Sequence, residues 1–223
     1  ADDLDFQRED GGRAISASNP RFIGISQGSV LGGTFLTQSP DIERGALIVG
    51  GANFSFMIER SIHFNLYETF LMPAYEKRLV TAQLMSFSQH VWDSAESAAY
   101  IAEAKDGLED IGAKRYLYLV AQNDSQVPNL ASDIAVRMAG LPVLEDSSYK
   151  PWGAEVIEGP TTDSAFVSFH MGDRDTPRGN ESPTVDDGGH NSAATTEAGV
   201  DMITHFFETG EIKSTCDGLC IFY

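Results

Sequence analysis

The chain has 223 residues, 42% of them apolar, which is enough for one globular domain with its own core. Thirty-three acidic residues against 15 basic ones give a net charge of −18, and such a surface repels nucleic acid and anionic membrane, so no nucleic-acid partner is expected. There is no apolar run long enough to span a bilayer as a helix, and the acidic start ADDLDFQRED has neither the basic nor the apolar region of a secretory signal. Either the chain is not exported or a leader has been removed.

Short apolar runs alternate with longer amphipathic stretches, the pattern of an α/β fold with a mostly parallel sheet flanked by helices. Residues 21–25 (RFIGI) read as a buried strand, and 27–39 as a helix stopped by Pro40. Residues 46–50 (ALIVG) are the next strand. Residues 53–113 are rich in Phe, Met, Leu and Tyr, and too long for a structureless loop. They predict a helical insertion divided at Pro73, within a single domain spanning 1–223. Its role is either packing over the sheet or a cap that supplies an apolar pocket. Residues 114–121 and 164–171 predict two more strands. Helices are expected over 130–139 and 193–208, the second capped by Asn191 and Ser192 and ended by Gly210.

Residues 172–189 form a polar surface loop. Five of its carboxylates (Asp173, Asp175, Glu181, Asp186, Asp187) are of the type that binds calcium, but their spacing is not that of an EF-hand, so no metal is expected. The two cysteines, Cys216 and Cys220, lie close enough to close a small loop; a disulfide and a pair of free thiols are both compatible with the spacing. A disulfide implies an oxidising compartment, hence a secreted or periplasmic location. A structural zinc needs four ligands, and no second pair accompanies these two.

The sharpest chemical signal is Gly24-Ile25-Ser26-Gln27-Gly28. It follows an apolar strand and opens a helix rich in small residues, the strand–turn–helix setting of a nucleophilic serine. The tight turn predicts that both flanking glycines are needed for close backbone packing. The backbone N–H of Gln27 is then one donor of an oxyanion hole. A serine of ordinary pKa needs a base, itself oriented by an acid. Asp124 stands directly after the strand at 114–121, on the same sheet edge as Ser26. Of five histidines, His63 and His90 fall in the insertion, His170 in a strand and His205 in a helix. His190 alone follows a glycine pair in a loop, where it can swing toward Ser26. Gly50, Gly51, Asn53 and Phe54, after the second strand, should border the substrate pocket, with Phe56 and Trp92 as further candidates for an apolar wall.

GISQGS after a strand, NDSQVPN after the next-to-last strand and GGHNSAA before the last helix resemble the bacterial α/β-hydrolase-fold serine esterases and lipases over about residues 21–208. The resemblance implies a Ser26–His190–Asp124 triad, an acyl-enzyme, a small-molecule or lipid ester substrate and no cofactor. Ile25 departs from the pattern, in which a polar residue is common there. Members of the family also place several strands ahead of the nucleophile. The first twenty residues here supply at most a helix and a loop, so an N-terminal fragment of the same hydrolase is the expected partner completing the sheet. A peptidase of the same fold and a catalytically inactive binding module are the alternatives.

Overall fold

Strands form where short apolar or aromatic runs are bounded by turn residues, and a strand buried on both faces needs apolar side chains at every position. The computed structural model describes residues 9, 19–75, 77–171, 175–177, 179–186 and 188–222. Six strands make one parallel sheet: β1 (Arg21–Ile25), β2 (Arg44–Ile48), β3 (Arg115–Gln122), β4 (Val143–Leu144), β5 (Val156–Ile157) and β6 (Ala165–His170), in the order β1-β2-β3-β6-β4-β5. The expected strand at 46–50 begins earlier and stops at Ile48, because Val49 turns to a φ of 44°. β4 and β5 have two residues each, too few for periodicity to announce them.

β3 shows how the layers are built. Leu117, Leu119 and Ala121 point to one face of the sheet, where they meet Met202 and Phe206 of α9 (Glu197–Thr209). Tyr116, Tyr118 and Val120 point to the other, against α2 (Gly32–Gln38), α6 (Ile101–Asp106) and α7 (Asn129–Ala139). The period-two alternation of a strand thus feeds two apolar cores, and helices cover both faces of the sheet. Helix α9 is capped by Thr196, whose hydroxyl accepts from the Gly199 amide at 3.1 Å, and Gly210 ends it at a φ of 84°. Asn191 and Ser192, expected to cap it, instead lie in a separate one-turn helix, α8 (Gly189–Ser192).

The stretch 27–39 also divides, into α1 (Gln27–Val30) and α2, parted at Leu31. The expected insertion is helical. Between β2 and β3 come α3 (Phe54–Ile58), α4 (Phe64–Tyr75), α5 (Arg78–Trp92), a 3₁₀ turn at Ser97–Ala99, and α6. Pro73 does not divide it. It falls in the last turn of α4, where it removes one N–H from the ladder close to the helix end. The chain breaks its helical path only after Tyr75.

β1 occupies the edge of the sheet, and its Ile23 and Ile25 are 48% and 49% exposed, so this strand is less buried than its apolar run predicts. At the other end of the chain Cys216 and Cys220 form a disulfide. This segment pairs with the end of β6: the His170 amide donates to the Cys220 carbonyl, and the Phe222 amide to the His170 carbonyl. Among the described residues no helix is long and apolar enough to cross a membrane.

Candidate active site

In a parallel sheet all strands end on one edge, so residues just past different strands converge there. Ser26 follows β1, Asp124 follows β3, and α8 follows β6. Ser26 has φ 56° and ψ −121°, a strained conformation for a residue with a Cβ. It is held because its amide still donates to the Ile48 carbonyl at 2.9 Å while its own carbonyl accepts from Ser29 and Val30 as α1 begins. The two flanking glycines are not equivalent. A Cβ on Gly24 would lie 2.2 Å from the Gly28 carbonyl oxygen, whereas a Cβ on Gly28 would meet nothing within 4 Å. The expectation that both side chains must be absent is corrected to Gly24 alone.

The turn bearing Asp124 is fixed by Asn129. Its side-chain oxygen accepts from the Asn123 amide and its nitrogen donates to the Ala121 carbonyl, both at 2.7 Å, which holds Asn123 at a φ of 61°. Asp124 Oδ1 accepts from the amides of Gln126 and Val127 at 2.8 and 2.9 Å. Its Oδ2 is left for His190 Nδ1, at 2.7 Å. His190 sits in α8, not in an open loop, after Gly188 at a φ of 84°. Its Nε2 is 2.9 Å from Ser26 Oγ. A histidine whose Nδ1 proton faces a carboxylate has Nε2 free to accept, so the arrangement is a hydrogen-bonded chain from hydroxyl to imidazole to carboxylate. Asp124 and His190 are 1% and 3% exposed, so solvent competes little for these bonds. The Gln27 amide opens α1, where helix geometry leaves N–H groups without intrahelical acceptors.

Ser26 and Gln27 border a cavity of about 480 Å³. Its apolar wall comes from Phe54 and Met57 of α3, Tyr67 and Leu71 of α4, and Met85 and Trp92 of α5. Phe54 and Trp92 pack with ring centroids 4.0 Å apart. Of the residues expected to border a pocket, Phe54 and Trp92 do so. Gly50 and Gly51 pack instead against neighbouring helices, where a Cβ would come within 2.0 Å of the Ser29 hydroxyl and 2.5 Å of Ala131 respectively. Asn53, at a φ of 66°, caps α3 by accepting from the Phe56 amide, and Phe56 points outward.

Three residues that sequence reasoning passes over also stand here. His63, expected to be a packing or surface group, lies at the cavity rim, 3.3 Å from Gln126 Oε1. Gln126 in turn donates to Asp186 Oδ2 at 2.7 Å. Asp186 is legible in the sequence only as one carboxylate of an acidic loop. Of the other four, Asp173 and Asp187 lie outside the described residues. No group of three or more His, Cys, Asp or Glu among the described residues is placed to hold a metal ion.

Behind the Phe54–Trp92 wall lies Glu96, fully buried, accepting from the Gln89 amide group and facing the Asn53 and Phe54 amides. Burial pushes its carboxyl above the usual range, against the pull of those donors. A raised folded value means that the cost of burying this charge is absent below the ordinary glutamate pKa of about 4.3 and complete above the folded value. The thermal midpoint of Glu96→Gln relative to the parent is therefore expected to rise from pH 4 to pH 8. A difference that stays flat over that range would show that Glu96 titrates like a solvent-exposed glutamate.

No protein-family model matches the chain, and no curated protein matches it.

Proposed function

We propose that this chain carries the catalytic machinery of an α/β-hydrolase-fold serine hydrolase acting on carboxylic esters. The observation that carries this reading is the buried Ser26–His190–Asp124 chain at 2.9 and 2.7 Å, opening on an apolar cavity. In the proposed reaction His190 Nε2 takes the Ser26 proton as Oγ attacks the ester carbonyl. The Gln27 N–H donates to the oxyanion. Asp124 holds the imidazole in the required tautomer and stabilises its cation. His190 then protonates the departing alcohol, and water activated by the same imidazole releases the acid. No step in this sequence calls for a cofactor. Among the described residues no strand pairs with the outer edge of β1, which supports an added strand there. The Cys216–Cys220 disulfide supports an oxidising compartment, secreted or periplasmic.

A fluorophosphonate probe is expected to label Ser26, located by peptide mapping, and to leave Ser26→Ala unlabelled. A parent protein that refuses the probe at every serine would overturn the hydrolase reading. The cavity also sets a chain-length preference. A cavity of about 480 Å³ walled mainly by apolar side chains takes an acyl chain of medium length. A series of p-nitrophenyl esters should give a maximum of kcat/KM in that range. Met85→Trp, which fills part of the cavity, should move the maximum to shorter chains. A preference for acetate in the parent would contradict the assignment of this cavity to the acyl group.

A further inference from the structure

We infer that Asp186 is a positioning residue, which clamps the loop carrying His190 onto the turn carrying Asp124 and adds a second carboxylate to the surroundings of the imidazole. This rests on the reading of Ser26, His190 and Asp124 as the reacting groups. Asp186 Oδ1 accepts from the Ser125 hydroxyl and from the Gly188 amide, each at 2.9 Å. Its Oδ2 accepts from the Gln126 side chain at 2.7 Å. One carboxylate thus binds the two residues directly after Asp124 and the amide two residues before His190. Charge-assisted bonds of this kind are short and geometrically demanding. Those to Ser125 and Gln126 span 61 and 60 residues of sequence, and so join two separate loops.

The same network reaches the insertion. Gln126 meets His63 through its oxygen, and the Ile62 amide donates to the Ser125 carbonyl at 2.8 Å. Earlier in the loop, Asn65 donates to the Pro183 carbonyl and Ser182 to the Glu59 carbonyl. The base loop is therefore laced to both its neighbours, and Asp186 is the point where the lacing comes nearest to His190. Without it, Gly188 loses the acceptor that fixes the turn into α8, and the backbone carrying His190 is less firmly set against the turn carrying Asp124. A misplacement of about 1 Å in a reacting group can cost on the order of a hundredfold in rate.

Electrostatics point the same way. Burial alone would raise the Asp186 carboxyl, but the Gly188 amide, Gln126, Ser125 and the nearby His190 outweigh it and hold it below the ordinary carboxylate range. The Asp186 carboxylate thus lies within electrostatic reach of the ring that takes on positive charge as the serine proton is transferred. Two carboxylates act on His190: Asp124, from the turn after β3, at 2.7 Å, and Asp186, from its own loop, through space; His63 contacts Gln126.

The test uses the whole protein with p-nitrophenyl octanoate, measuring kcat, KM and the pH dependence of kcat/KM. Asp186→Ala is expected to lower kcat by about ten- to a hundredfold with KM within about twofold. Asp186→Asn keeps the shape and the acceptor for Ser125 and Gly188, removes the charge, and turns the side facing Gln126 from acceptor to donor. It is expected to lose less in kcat than Asp186→Ala, to keep the parent's thermal midpoint to within a few degrees, and to move the acidic limb of the profile to lower pH, because a negative charge beside the imidazole is gone. Glu181→Gln, on the same loop, should leave the limb where it is. An active parent whose two Asp186 variants keep kcat within twofold and an unmoved limb would overturn the clamp. A parent that neither hydrolyses esters nor takes the fluorophosphonate probe would overturn the hydrolase reading instead.

Discussion

Ser26→Ala and His190→Ala are each expected to lower kcat for p-nitrophenyl octanoate by about five to six orders of magnitude, with far-ultraviolet circular dichroism unchanged. The three groups are joined in one line. Ser26 Oγ has His190 Nε2 at 2.9 Å, and His190 has Asp124 Oδ2 at 2.7 Å on its other nitrogen. Remove the hydroxyl and the imidazole has no proton to take; remove the imidazole and the hydroxyl keeps its proton at neutral pH. The two losses are one loss, so the double variant should be scarcely slower than either single one. Asp124→Asn should cost about four orders of magnitude, because the amide presents a donor to Nδ1 and favours the wrong tautomer. Losses that multiply in the double variant, or an active Ser26→Ala, would show that the reaction does not run through this chain of groups.

The order of residues along the sequence is enough to suggest these partners, and the reason is topological. A parallel sheet brings to one edge whatever follows its strands, and Ser26 and Asp124 each stand directly after an apolar run. His190 stands out by elimination and by its glycine pair, although it lies in a helical turn instead of a loop. The fold is legible where runs are long. β3 declares itself through eight residues, most of them buried, whereas β4 and β5 are too short to show a period. The pocket is harder to read because it depends on where a strand stops. Val49 leaves the strand by a positive φ, which turns Gly50 and Gly51 into helix packing, so that of the four residues expected from this segment Phe54 alone lines the cavity. Met85, Tyr67 and Leu71 look like any apolar residues of an insertion, since helical spacing does not say what a face covers. Asp186 is hidden for the opposite reason. In a loop full of carboxylates, composition cannot single out Asp186, which has three donors within reach.

Gly24→Ala is expected to destabilise the protein by about 3 kcal/mol or more and to abolish labelling of Ser26, while Gly28→Ala leaves both nearly unchanged. The two glycines look alike in the sequence, at equal distances from Ser26. In the folded chain a Cβ at Gly24 would stand 2.2 Å from the Gly28 carbonyl oxygen and 2.7 Å from its carbonyl carbon. Both are backbone atoms, so no side-chain rotation relieves the clash. The strand and the first turn of α1 would have to part, and that parting breaks the turn holding Ser26 at its positive φ. At Gly28 the added methyl meets nothing within 4 Å, and alanine favours helix over glycine by up to about 1 kcal/mol in a helix interior. Gly28→Ala should therefore hold the parent's stability or gain slightly. Chemical denaturation read beside probe labelling decides: equal losses in the two variants would mean that the tightness of the turn lies at Gly28 as well. A folded, labelled Gly24→Ala would mean that the strand and α1 are held further apart than their contact at Gly24 requires.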